Sequence, residues 1–276
     1  MEKTKERKKK MIPLFLSDLD GTLIHEESAM ISSDDVQEIK NWQKQGYLFG
    51  LVTGRDRVFC MNLLNRYEIV PDCLITCNGA MTFWKDHRID ASLIDLSVAK
   101  NILKELEMYL DTIDPFFTAE DGSNYFLRED DPKRIQKEFA YLGWVREESL
   151  KTYLKSRTEG LAKISIAAKS LENVQRLLPE FQEKFANVEV MTTSKDYIEI
   201  TRKATNKAHA MTKLIDHQNL NLKEIIFIGD GSNDIPLFDM LECTYVMRHA
   251  SDAIRKHAQW EVSDVAEAIR KERESR

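Results

Sequence analysis

Apolar positions in this chain come in two forms, short near-continuous runs and longer stretches with helical spacing, and the two alternate. Residues 13–17 (PLFLS) make an apolar run of the kind found in strands covered on both faces. Over 33–45, Val36, Ile39 and Trp42 share one helical stripe, with Ser32 or Ser33 as the cap and Gly46 as the stop. A second buried strand over 47–52 (YLFGLV), a helix over 57–67 and a third strand over 74–77 follow. Strand, helix, strand, helix, strand predicts a parallel sheet with helices on its faces.

From about residue 92 the order changes. The spacing predicts a helix over 97–110, a hairpin over 116–129 around Asp121-Gly122, and a helix over 132–142. A strand over 161–168, a helix over 171–185 and a strand over 188–192 come next, an α+β arrangement. The alternating pattern then returns: helix 207–217, strand 224–228, helix 235–240, strand 244–247 and a helix near 264–271. With no internal repeat and no low-complexity linker, one domain interrupted by another is expected. The outer domain spans 1–91 and 193–276, its first 11 residues a basic tail, and the insert spans 92–192.

The strand ends carry the chemistry. Asp18-Leu19-Asp20-Gly21-Thr22 stands where the first run stops. In extended chain, residues i and i+2 face the same way, so both carboxylates are expected in one crevice, about 6.6 Å apart along the backbone. Such a pair favours one protonated carboxyl or a bound cation, and open α/β sheets bind ligands outside the carboxyl ends of their strands. A calcium loop would need Glu at its twelfth position, where this chain has Ala29. Thr53-Gly54-Arg55 ends the second run, at a turn suited to holding a phosphoryl oxygen or simply to capping a helix. Gly229-Asp230-Gly231-Ser232-Asn233-Asp234 ends the apolar run 225–228, delivering two more carboxylates and an amide. Lys207 opens a predicted helix and gains meaning only beside these groups.

Composition narrows the setting. Hydrophobic residues make up 42% and charged residues 31% of the 276, enough for packed cores. A net charge of −6 argues against nucleic acid as partner. No apolar run approaches the roughly 18–20 residues of a membrane span, and 11–16 is too short for a signal-peptide core. No membrane association and a cytoplasmic setting are expected. Cys60, Cys73, Cys77 and Cys243 have neither disulfide nor zinc spacing and are expected to be reduced thiols.

Taken in order, these four pieces resemble the haloacid dehalogenase-like hydrolase superfamily, most closely its Cof-like subgroup, over nearly the whole chain. The Asp-x-Asp-Gly-Thr box matches Asp18 to Thr22, the second motif Thr53, the third-motif lysine Lys207, and the acidic cluster Asp230, Asn233 and Asp234. Asn78-Gly79 matches a loop that approaches substrate in the subgroup. The resemblance implies an α/β fold with a three-layer Rossmann-like core and parallel sheet, plus an inserted α+β cap domain. It implies a Mg²⁺-dependent phosphatase acting on a small phosphorylated metabolite, such as a sugar phosphate. Asp18 would be the nucleophile and Asp20 the acid–base, with Thr53 and Lys207 completing the catalytic set. Gly21, Thr22, Gly54, Arg55, Asn78, Gly79 and Asn233 would contact substrate. Asp18, Asp20 (through its carbonyl), Asp230 and Asp234 would hold Mg²⁺. Formal charge agrees: with Asp20 protonated, Asp18, Asp230 and Asp234 are balanced by one Mg²⁺ and Lys207.

Two positions depart from the subgroup's pattern. Ser-Lys-Gly is here Asn206-Lys207-Ala208, and Gly-Asn-Ala is Arg248-His249-Ala250. The alternatives are a sugar phosphomutase, whose cap would grip a second phosphate through Arg128, Lys133, Arg134 or Arg157, and a non-catalytic phosphometabolite-binding protein. Trp84, Phe116, Phe117, Tyr125 and Trp144 are candidates for stacking on substrate, though cap aromatics more often form its core. Oligomeric state and the particular substrate are not written in the sequence.

Overall fold

The computed structural model describes residues 12–24, 30–127, 150–156, 159–194 and 197–276. The basic tail, the predicted helix 132–142, Arg128, Lys133, Arg134, Trp144 and Arg157 lie outside the described residues. The chain opens with β1 (Leu14–Ser17), α1 (Ser33–Lys44), β2 (Leu48–Val52), α2 (Arg57–Asn65) and β3 (Cys73–Thr76). A hairpin of β4 (Met81–Trp84) and β5 (His87–Ala91) follows. The middle of the chain holds α3 (Leu96–Leu106), β6 (Ile113–Ala119), β7 (Asn124–Phe126) and α4 (Leu150–Ser156). It continues with β8 (Leu161–Ala168), α5 (Leu171–Lys184), β9 (Val188–Ser194) and β10 (Tyr197–Arg202). The last part runs α6 (Lys207–Gln218), β11 (Ile225–Gly229), α7 (Ile235–Met240), β12 (Cys243–Met247), α8 (Asp252–Arg255), β13 (Trp260–Val262) and α9 (Val265–Glu274).

An eight-stranded sheet has the order β13-β12-β11-β1-β2-β3-β4-β5. Its strands from β13 to β3 are parallel, and β4 and β5 extend it antiparallel. The apolar runs bury both faces, because alternate residues point to opposite sides. Phe15, Phe49, Leu51, Ile226 and Ile228 pack under α1, α2 and α9, whereas Leu14, Leu16, Val52, Ile225 and Phe227 pack under α6 and α7. This is the three-layer α/β arrangement that was expected. Each such side chain contributes about 1.5–3 kcal/mol when fully buried, so the strand ends are anchored in a well-packed core. Local signals fix the helix starts: Ser32 accepts from the Asp35 amide and Asp56 from the Phe59 amide.

A second sheet has five antiparallel strands in the order β7-β6-β8-β10-β9. Its one face packs Phe117, Ile164, Ile166, Ile198 and Ile200 against α3, α4 and α5. The other face carries Thr118, Asn124, Lys163, Ser165 and Glu199, and all five are buried. An antiparallel sheet ordinarily turns its polar face to water. Here that face is covered by the strand ends and loops of the first sheet.

Two expectations shift. The β4–β5 hairpin is absent from the sequence reading, because β5 (HRIDA) is polar and half exposed and gives no apolar run. The expected insert limit at 192 falls inside β9. It leaves β10 with the outer domain, whereas β10 pairs with β8 and β9 in the second sheet. We therefore place the end of the insert after Arg202. The Ser92 and Thr205 hydroxyls, one on each crossing segment, are 2.8 Å apart.

Candidate active site

The parallel register brings the acidic motifs together. Ser17 lies beside Ile228, and the Asp18 amide donates to the Ile228 carbonyl at 2.8 Å, so Asp18 emerges next to the turn that carries Asp230 and Asp234. Carboxylate oxygens of Asp18, Asp230 and Asp234 lie within 4.8 Å of one another. Gly21 permits this approach: its φ is +84°, and a Cβ there would stand 2.3 Å from Asp230 Oδ2.

Lys207 enters from the start of α6, capped by Asn206, whose side chain accepts from the His209 amide. Its Nζ donates to Asp18 Oδ1 and Asp234 Oδ1, both at 2.6 Å. Lys207 and Asp234 are 1% and 0% exposed. Burial would lower the lysine, but Asp18 and Asp234 outweigh it and hold Lys207 above its ordinary range. Burial raises the Asp18 carboxyl well above its usual range; Lys207 pulls it down, and Asp234 and Asp230 push it up again. Burial likewise raises Asp230, with Thr22 opposing and Asp234 adding to the shift. Three carboxylates against one ammonium leave a formal charge of −2 in a largely buried site. Three converging hard oxygen donors with that excess charge suit a divalent cation such as Mg²⁺.

The predicted site residues take distinct places. The Asp20 carboxylate is not one of the three grouped around Lys207. The strand stops at Ser17, and the Asp20 carboxylate turns to Arg55, whose Nε and Nη2 reach it at 2.8 and 2.6 Å. Arg55 also lies over the Phe59 ring. Asp234 Oδ2 accepts from the amides of Asp230 and Gly231 and its Oδ1 from Lys207, so it orients the loop and the lysine. Thr22, expected on substrate, donates instead to Asp230 Oδ1 at 2.9 Å. Thr53 is fully buried, and its hydroxyl accepts from the Arg55 amide, which places Gly54 at the apex of that turn. Asn233 donates to Asn78 Oδ1 at 3.1 Å. Gly79, with φ +99°, lies against α6, and a Cβ there would be 2.3 Å from the Asn206 carbonyl oxygen. At the departure in the last loop, His249 Nε2 lies 3.3 Å from Asp230 Oδ2. The aromatic candidates divide: Phe117 and Tyr125 are in the insert's own core, and Trp84 packs on the first sheet. Phe116 is on the opposite sheet face, near Phe126 and Tyr197.

The sequence reading missed Lys163 and Glu199. Lys163 Nζ donates to Glu199 Oε1 at 2.5 Å and to the Gly54 carbonyl at 2.8 Å. Glu199 Oε2 accepts from Asn78 Nδ2 at 2.5 Å. Their signal was present as single charges inside the apolar strands LAKISIAA and YIEITR.

The model of the haloacid dehalogenase-like hydrolase family matches residues 15–269. The chain belongs to the haloacid dehalogenase-like hydrolases. Among relatives of this hydrolase is a 5-amino-6-(5-phospho-D-ribitylamino)uracil phosphatase of Bacillus subtilis, 25% identical over 87% of this chain and 88% of its own. A HAD/COF-like hydrolase from Plasmodium vivax shares the fold at TM-score 0.82 with 20% identity, covering 96% of both chains. A subclass IIB sugar phosphatase superposes at TM-score 0.75 with 20% identity, over 94% of this chain and 98% of its own. Among the described residues of this hydrolase, no helix is long and apolar enough to cross a membrane.

Proposed function

We propose that this hydrolase is a Mg²⁺-dependent phosphomonoesterase acting on a small phosphorylated metabolite through an aspartyl-phosphate at Asp18. The observation that carries the reading is the buried carboxylate–lysine cluster at the β1 and β11 strand ends, with its excess of negative charge. Without compensation that cluster would repel a phosphate dianion; with a divalent cation it accepts one. Asp18, Asp230 and the Asp20 carbonyl would hold Mg²⁺, with Asp234 directing them from behind. The cation supplies Lewis-acid stabilisation of the phosphoryl oxygens.

The protein's own residues account for the rest. Lys207 fixes Asp18 Oδ1, and the second carboxylate oxygen bonds phosphorus as the ester oxygen leaves with a proton from Asp20. Asp20 then takes a proton from the water that attacks phosphorus, releasing phosphate and restoring Asp18. Positioned acid–base groups of this kind contribute about 10²–10⁴-fold. Thr53 and the Gly54–Arg55 turn hold phosphoryl oxygens, and Lys207 offsets their charge. The relatives' names, a ribitylaminouracil phosphatase and a sugar phosphatase, support a small polyol or sugar phosphate as the substrate class. A soluble cytoplasmic enzyme fits that class of substrate.

The test is phosphate release from p-nitrophenyl phosphate and a sugar-phosphate panel. Mg²⁺-dependent turnover that stops in EDTA and is abolished in Asp18→Asn is expected. Release by Asp18→Asn near the wild-type rate would remove the nucleophile assignment.

A further inference from the structure

The polar face of the inserted sheet is buried over the loops that end β2 and β3. Three of its strands each send one side chain across. Asn124 on β7 donates to Asp56 Oδ2 at 3.2 Å, Lys163 on β8 donates to the Gly54 carbonyl, and Glu199 on β10 accepts from Asn78. Lys163 and Glu199 pair with each other, and each is 6% exposed. Their targets are the turn proposed to hold phosphoryl oxygens and the loop after β3.

That second loop is strained. Cys77 and Asn78 both have positive φ, +52° and +55°, followed by Gly79 at +99°. Non-glycine residues seldom adopt this region and persist there where their surroundings over-determine them. The Cys77 amide donates to the Arg55 carbonyl and the Asn78 amide to the Thr53 carbonyl, so the two loops hold one another. Asn78 in turn receives Asn233 from the acidic loop. Glu199 is therefore the last link in a chain from the second sheet to all three loops.

We infer that Lys163 and Glu199 are positioning residues of the hydrolase site: the inserted sheet supplies an ion pair that holds the 53–55 and 77–79 loops in their working geometry. This rests on the phosphomonoesterase reading for its kinetic consequence, but not for its structural one. Burial alone would lower Lys163, but Glu199, with Cys77 and Asp56 adding to it, outweighs burial and keeps the ammonium that grips Gly54 charged. The inserted sheet is on this account a working part of the catalytic loops as well as a cover over them.

The experiment compares wild type with Lys163→Arg, Lys163→Met and the double variant Lys163→Met/Glu199→Gln. The double variant removes both charges together and keeps an acceptor for Asn78, so it is expected to fold even where Lys163→Met alone, with Glu199 left unpaired, does not. Amide hydrogen exchange at Cys77 and Asn78 is expected to quicken about tenfold or more in the double variant, with exchange in β1 and β11 unchanged. Turnover of p-nitrophenyl phosphate is expected to fall about 10- to 100-fold in kcat with KM within about threefold, and Lys163→Arg to recover most of it. Unchanged exchange at both amides overturns the inference whatever the activity. So does a loss of turnover matched by uniform loosening of the whole chain. If wild type itself shows no phosphatase activity, the phosphomonoesterase reading fails, and the exchange result alone decides the positioning role.

Discussion

Two buried lysines divide this molecule's chemistry. Lys207 lies at the parallel strand ends among three carboxylates and leaves a formal charge of −2. Lys163 lies on the inserted sheet in a one-to-one ion pair with Glu199. Both lysines are buried, so the difference lies in stoichiometry. An unbalanced cluster in low dielectric is stable only with another cation or with protons, and it is the place to expect bound metal and reacting phosphate. A balanced pair calls for neither, and its remaining hydrogen-bonding capacity goes to the backbone of Gly54 and the side chain of Asn78.

The comparison breaks most readily at its charged end. Asp20→Asn should lower turnover by about 10²–10⁴-fold while leaving the Mg²⁺-induced rise in melting temperature intact, because its carboxylate lies outside the cluster. Loss of that rise in thermal denaturation would put the Asp20 side chain on the metal. Lys207→Met should destabilise the chain in EDTA by about 3–5 kcal/mol, measured by urea unfolding, since it removes the ammonium paired with the buried Asp18 and Asp234. Mg²⁺ should restore part of the loss. For wild type, saturating Mg²⁺ at a hundred times its dissociation constant should add about 2.7 kcal/mol. Asp230→Asn should cancel that gain.

The pH dependence has a definite sign. Asp18 and Asp230 titrate above the ordinary 3.8 in the folded chain, so folding takes up protons. Stability from these groups is full below that value and is lost as pH rises through their folded pKa values. In EDTA the melting temperature should therefore decline from about pH 4 upward, and Mg²⁺ should flatten the decline. The smallest effect tests the surrounding scaffold: Ser32→Ala, removing the cap of α1, should cost about 1 kcal/mol without altering turnover or metal response.

Most of the parallel sheet was legible because its strands are short, apolar on both faces and punctuated by polar motifs. The grouping of the acidic motifs was legible for the same reason: each stands where a strand ends, and parallel register gathers strand ends. The pairing of Asp20 with Arg55 was not legible, because the i, i+2 argument assumes extended chain beyond Ser17. The bond from Thr22 to Asp230 was not legible either, because no local signal joins residues 208 positions apart. β10 was assigned to the wrong side because an apolar strand carries no label for the sheet it joins. Lys163 and Glu199 were overlooked because attention to strand ends passes over a charge in mid-strand, where burial must be answered by a partner from elsewhere.

The hydroxyl contact between Ser92 and Thr205 has a consequence for how such a molecule can change. The chain leaves the eight-stranded sheet and comes back to it through a single doorway. We infer that everything beyond that doorway can be exchanged as a cassette, by shuffling or by design, without rethreading the parallel strands. The replacement need only bring its own counterparts to the grip on Gly54 and Asn78.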